Sequence, residues 1–133
     1  MISIRAMPPL VLTQWAVAAV WLYEGLWCKL LSGVPSQVDV VKSVPLFSPQ
    51  LATWLLRVIG VVECGLALWV VSARQPFLAA AAQTALLVGM NTGGLIWARR
   101  VIPDPAGMVV KNIAFLVLAW VVAAQAGMSH AAG

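Results

Sequence analysis

Charge is scarce in this chain. Its 133 residues include eight Lys or Arg and four Asp or Glu, 9% in all, where a soluble domain carries roughly 25%. So few charges cannot cover a water-facing surface. Histidine is nearly absent: His130, close to the end of the sequence, stands alone. No pair of imidazoles is available to hold a haem between helices, and no Ser/His/Asp triad can form at depth. The two cysteines, Cys28 and Cys64, form no CxxC pair, so they read as core packing rather than as a thiol–disulfide centre. No Cys/His/carboxylate set has metal-ligand spacing, and no metal site is expected. Gly93-Gly94 lies in an apolar run without the flanks of a phosphate loop. The formal net charge is +4, but the basic residues are scattered. No basic run could track the phosphates of a nucleic acid, so none is expected as a partner.

What the chain does have is apolar length. Hydrophobic residues make up 62% of it, and the mean hydropathy is +0.96. Four runs stand out, at 11–31, 51–71, 77–97 and 108–126. Each approximates the length a helix needs to cross a hydrocarbon core of about 30 Å. The expectation is an all-α integral membrane four-helix bundle, one domain over residues 1–133, with the lipid bilayer as its first partner. The first run follows Arg5, as a signal peptide would. It ends in Trp21, Tyr23, Glu24, Trp27 and Lys29 rather than in small residues, so it reads as a retained span. No soluble domain is expected beside the spans.

Punctuation between the runs supports this order. Residues 32–50 contain Gly33, Pro35, Pro45 and Pro49, so they cannot be one helix. Within them Ser36–Lys42 can form a short extra helix with Ser36 as its cap, lying in the interface or folded back onto the bundle. Ser48-Pro49 reads as N-cap and first helical position of the second span. The short 72–76 turn makes spans 2 and 3 antiparallel neighbours. Arg99, Arg100, Pro103, Asp104 and Pro105 break the chain before span 4. The basic count leans, by one residue, towards a cytoplasmic side for the end that carries the 32–50 and 98–105 connections.

Charged and amide side chains sit inside the apolar runs: Glu24, Lys29, Arg57, Glu63, Asn91, Lys111 and Asn112. A charge at membrane depth costs at least about 2.5–3.5 kcal/mol. At 1.5 Å per residue, Glu24, Arg57 and Asn91 fall about 9–10 Å from that end of their spans, Lys111 and Asn112 about 5–6 Å, and Glu63 about 18 Å. These residues are the candidates for a polar interior or a ligand site. Glu24, Arg57, Asn91, Lys111 and Asn112 are expected to point into the bundle, with Arg57 or Lys111 pairing Glu24. Glu63 is expected deeper, where a carboxyl needs a cation or a proton. Two readings stay open: ion pairs that fix helix register, with Lys29 snorkelling to the surface, and a functional polar cavity. Gly60, Cys64 and Gly65 near Glu63, and Gly93 and Gly94 near Asn91, let backbones approach closely.

Four motifs occur in order along nearly the whole chain. They are Trp21-x-Tyr23-Glu24-Gly25-x-x-x-Lys29-Leu30, then Arg57-x-x-Gly60-x-x-Glu63, then Gln83 with Asn91, then Asp104-Pro105-x-Gly107-x-x-x-Lys111-Asn112. Together they resemble the DoxX-like membrane proteins. The resemblance implies a four-helix bundle in the bacterial cytoplasmic (inner) membrane. It also implies a link, in some relatives, to a membrane-associated redox enzyme such as a thiosulfate:quinone oxidoreductase. Relatives fused behind a nucleotide-binding domain imply a cytoplasmic N-terminus, against the charge count. The chain thus reads as a non-enzymatic membrane component with no assigned catalytic residue. It is expected to hold no cofactor through protein ligands, any cofactor being a diffusible lipid such as a quinone, and it is free to form homo-oligomers. The alternatives are a small proton-coupled transporter using Glu63 and Glu24, and a membrane scaffold or assembly factor.

Overall fold

A computed structural model describes the chain over residues 8–31 and 36–132, with side chains described outside 36–38 and 129–132. The described elements are all helical. In chain order they are α1 (Leu10–Leu22), a π-helical segment (Tyr23–Leu30), α2 (Ser36–Lys42), α3 (Pro49–Ser72), α4 (Pro76–Trp97) and α5 (Pro105–Ala132). Two of them, α3 and the Pro105–Met128 part of α5, are long and apolar enough to cross a membrane. α4 has 22 residues, but Gln83, Thr84, Asn91 and Thr92 lower its hydropathy.

The sequence dictates the helix ends. Ser48 accepts a hydrogen bond from the Leu51 N–H, and Pro49 takes the first helical position, as its spacing predicts. This satisfies one of the N–H groups that a helix start leaves unpaired. Asp104 does the same for α5 by accepting from the Gly107 N–H at 3.0 Å. A Cβ at Gly107 would stand 2.0 Å from the Asp104 carboxylate, so a larger residue there would displace the cap. The α3–α4 turn runs through left-handed backbone at Ala73 and Gln75. The Trp69 indole donates to the Arg74 carbonyl across this turn, at 2.8 Å. The short helix Ser36–Lys42 forms as expected, though Ser36 lies within it rather than ahead of it.

One expected span departs from a regular α-helix. After Leu22 the first run continues in π form, shown where the Leu31 N–H reaches back five residues to the Leu26 carbonyl at 2.8 Å. Such turns are rare and occur often at functional sites.

Packing is circular. α1 touches α3 and α5, α4 touches α3 and α5, and the π segment lies along α3. α2 folds back against α3, α4 and the π segment. The apolar centre is built by Val17, Ala18, Trp21, Leu66, Ala67, Val70, Leu87 and Val122. Trp21 is 1% exposed and meets Phe115 edge-on, with ring centroids 5.4 Å apart. The outer faces are apolar as well: Trp54 and Leu68 are each 71% exposed, a surface suited to lipid rather than water.

Candidate functional site

The polar centre of the molecule is a lysine held between two carboxylates. Lys29 Nζ lies 2.8 Å from Glu63 Oε1 and donates to Glu63 Oε2 at 3.1 Å. It also donates to Glu24 Oε2 at 3.5 Å and to the Glu24 carbonyl at 3.4 Å. Glu63 is fully buried, Lys29 is 5% exposed, and the Glu24 side chain is 38% exposed. The three groups thus run from the molecular surface to the interior. Glu63 Oε1, although close to the ammonium, accepts no hydrogen bond of good geometry.

Two local features make this cluster. In an α-helix, residues five apart are turned about 140° from each other. The π segment widens the turn, so Glu24 and Lys29 share a side. The second feature is the contact between Gly25 and Gly60. A Cβ on Gly25 would lie 2.6 Å from the Gly60 carbonyl oxygen and 3.0 Å from Glu63 Cβ. A Cβ on Gly60 would lie 2.9 Å from Lys29 Cβ. Only glycine at both places lets the π segment and α3 approach closely enough for Lys29 to reach Glu63.

The expected polar layer is therefore rearranged. Among the described residues the carboxylates are paired by Lys29, and neither Arg57 nor Lys111 takes that place. Lys29 points inward rather than to the surface. Glu63 does not occupy a separate deeper layer, because Gly25 packs directly against Gly60 and Cys64. The Gly25–Gly60 contact sets how α3 lies against the first helix, which counting from span ends cannot reveal. Arg57 and Lys111 are both exposed. The Arg57 guanidinium donates to the Leu30 carbonyl. Asn91 and Asn112 do meet at half-buried positions: Asn112 Nδ2 donates to Asn91 Oδ1 at 2.9 Å, and Asn91 Nδ2 donates to the Leu87 carbonyl.

Further polar contacts join helices elsewhere. The Trp21 indole donates to Gln83 Oε1 at 2.8 Å, across the bundle from α1 to α4. Thr13 donates to Gln125 at 2.6 Å, and Gln125 donates to the Pro8 carbonyl. Gln14 donates to the Val70 and Val71 carbonyls at 2.7 and 2.8 Å. Thr13 and Gln125 do not stand out in the sequence, because neither is charged. Their signal is that each is an uncharged polar residue within an apolar run.

Cys28 and Cys64 are free thiols. Among the described residues no group of three His, Cys, Asp or Glu side chains gathers to hold a metal. A cavity of about 10 Å³ borders Trp69, Val70, Gln83 and Ala126. It has room for one water and none for a quinone ring. The open groove along α5, lined by Ile113, Leu116, Val117, Trp120, Val121 and Ala124, offers apolar surface only.

An all-helical molecule with an apolar exterior, two helices long enough to span and charges paired inside is a small membrane protein. More narrowly, the chain belongs to the DoxX-like family, whose model matches residues 18–120. That match includes Glu24, Gly25, Lys29, Gly60 and Glu63. No curated protein and no solved structure matches the chain significantly.

Proposed function

We propose that this protein is a non-enzymatic, multi-pass component of the bacterial cytoplasmic membrane. Its four long helical segments form a spanning bundle that supports a membrane-associated, quinone-linked redox enzyme. The observation that carries the non-enzymatic reading is where the interior polar groups go. Lys29 and Glu63, Trp21 and Gln83, Thr13 and Gln125, and Asn112 and Asn91 bind one another between helices. Groups joined in this way hold a bundle together and leave little to act on a substrate. The redox link draws its support from the family and from the membrane setting.

The test is cross-linking in native membranes followed by purification, with quinone reduction measured in vesicles with and without the protein. A redox subunit should co-purify, and quinone reduction should fall when the protein is missing. Unchanged reduction with no redox subunit captured would reject the reading.

A second reading, a small proton-coupled transporter, is favoured by Glu63, whose buried Oε1 lacks a hydrogen bond. It predicts proton-driven uptake in proteoliposomes that Glu63→Gln abolishes.

A further inference from the structure

Five exposed basic side chains share one end of the helices: Lys42 on α2, Arg57 on α3, Arg99 and Arg100 after α4, and Lys111 on α5. The described acidic residues offset them only in part, since none forms an ion pair with any of the five. Asp39 and Asp104 are exposed carboxylates at this end, Asp104 capping the start of α5, while Glu24 and Glu63 share Lys29. At the opposite end Arg74 is the basic residue described.

We propose that this basic end binds anionic phospholipid headgroups, with Arg57 and Lys111 as its two anchors. Both sit inside their helices rather than in loops. Arg57 lies about 12 Å from the start of α3 and Lys111 about 9 Å from the start of α5. Exposed apolar side chains flank them: Trp54 and Val58 beside Arg57, Val110 and Ile113 beside Lys111. A cation on such a surface stretches its stem along acyl chains and delivers its head to the interface. Arg57 is already turned that way, because its guanidinium reaches the Leu30 carbonyl at the end of the π segment. A guanidinium has five donors, so most remain for phosphate oxygens. Lys111 makes no hydrogen bond or ion pair with a described residue. Its occupant must bring an anion and an apolar body together, which a phospholipid does and a soluble phosphate does not.

The inference rests on the membrane reading above, and the experiment separates the two. Membranes are first washed with alkaline carbonate; release of the full chain into the wash would reject the membrane reading itself. Retained protein is then purified in detergent. Bound lipid is measured by native mass spectrometry and thermal stability by melting, with phosphatidylglycerol, phosphatidylcholine or inorganic phosphate added. The unaltered protein should retain and be stabilised by phosphatidylglycerol only. Arg57→Gln and Lys111→Gln should each weaken that binding roughly fivefold. Arg74→Gln should not, and Lys111→Arg should keep it. Equal response to phosphatidylcholine, reproduction by inorganic phosphate, or full binding by both Gln variants would overturn the inference. Should Arg57→Gln fail to fold, Lys111→Gln and Lys111→Arg decide it.

Discussion

Gly25 and Gly60 meet backbone to backbone: a Cβ on Gly25 would stand 2.6 Å from the Gly60 carbonyl oxygen. The carbonyl cannot swing away as a flexible side chain would. Gly25→Ala should therefore force the π segment off α3 and lengthen the reach from Lys29 to Glu63. Overpacking of this kind typically costs about 1–3 kcal/mol. Melting in detergent should show the loss, with Gly65→Ala as the control, since nothing lies within 4 Å of a Cβ there. Equal melting temperatures for the two variants would contradict the close approach.

The Trp21–Gln83 bond should matter through what it leaves behind. Gln83 is 2% exposed and Trp21 1%, so Gln83→Leu strands a buried indole N–H. Such a group costs about 1–3 kcal/mol. Adding Trp21→Phe removes the stranded donor, so the double variant should lose less than the sum of the two singles. Strict additivity in chemical unfolding would show that the bond does not hold α1 to α4.

Asp104 and Gly107 form the start of α5. Gly107→Ala should push the Asp104 carboxylate from its position over the Gly107 N–H. Losing a helix cap costs about 0.5–2 kcal/mol. Hydrogen exchange should report faster opening confined to the first turns of α5. Uniform exchange along the helix, unchanged from the parent, would reject the capping role.

Much of this architecture is legible in the residues themselves. Ser48-Pro49 marks the start of α3, the prolines isolate Ser36–Lys42, and the apolar run at 51–71 becomes one unbroken helix, Pro49–Ser72. The Lys29 cluster is only half legible. Glu24, Lys29 and Glu63 stand out as charges in apolar runs, but their pairing does not. A helical period of 3.6 places Glu24 and Lys29 on different faces, and only π geometry brings them together. The stagger between helices is equally hidden, because it is set by the Gly25–Gly60 contact rather than by span ends. Lys111 shows the converse limit. Charge in an apolar run suggested an inward side chain, yet a lysine near a helix start can stay outside by stretching along its stem.

The central claim is that Lys29 is the counter-ion of Glu63 inside the bundle, and a double-mutant cycle tests it most directly. Lys29→Met, Glu63→Gln and the double variant are compared with the parent by reversible unfolding. Lys29→Met alone leaves Glu63 buried without its cation and should cost about 3–5 kcal/mol. The double variant should recover much of that loss, giving a coupling of at least about 1.5 kcal/mol. Additive losses, agreeing within about 0.5 kcal/mol, would contradict the account.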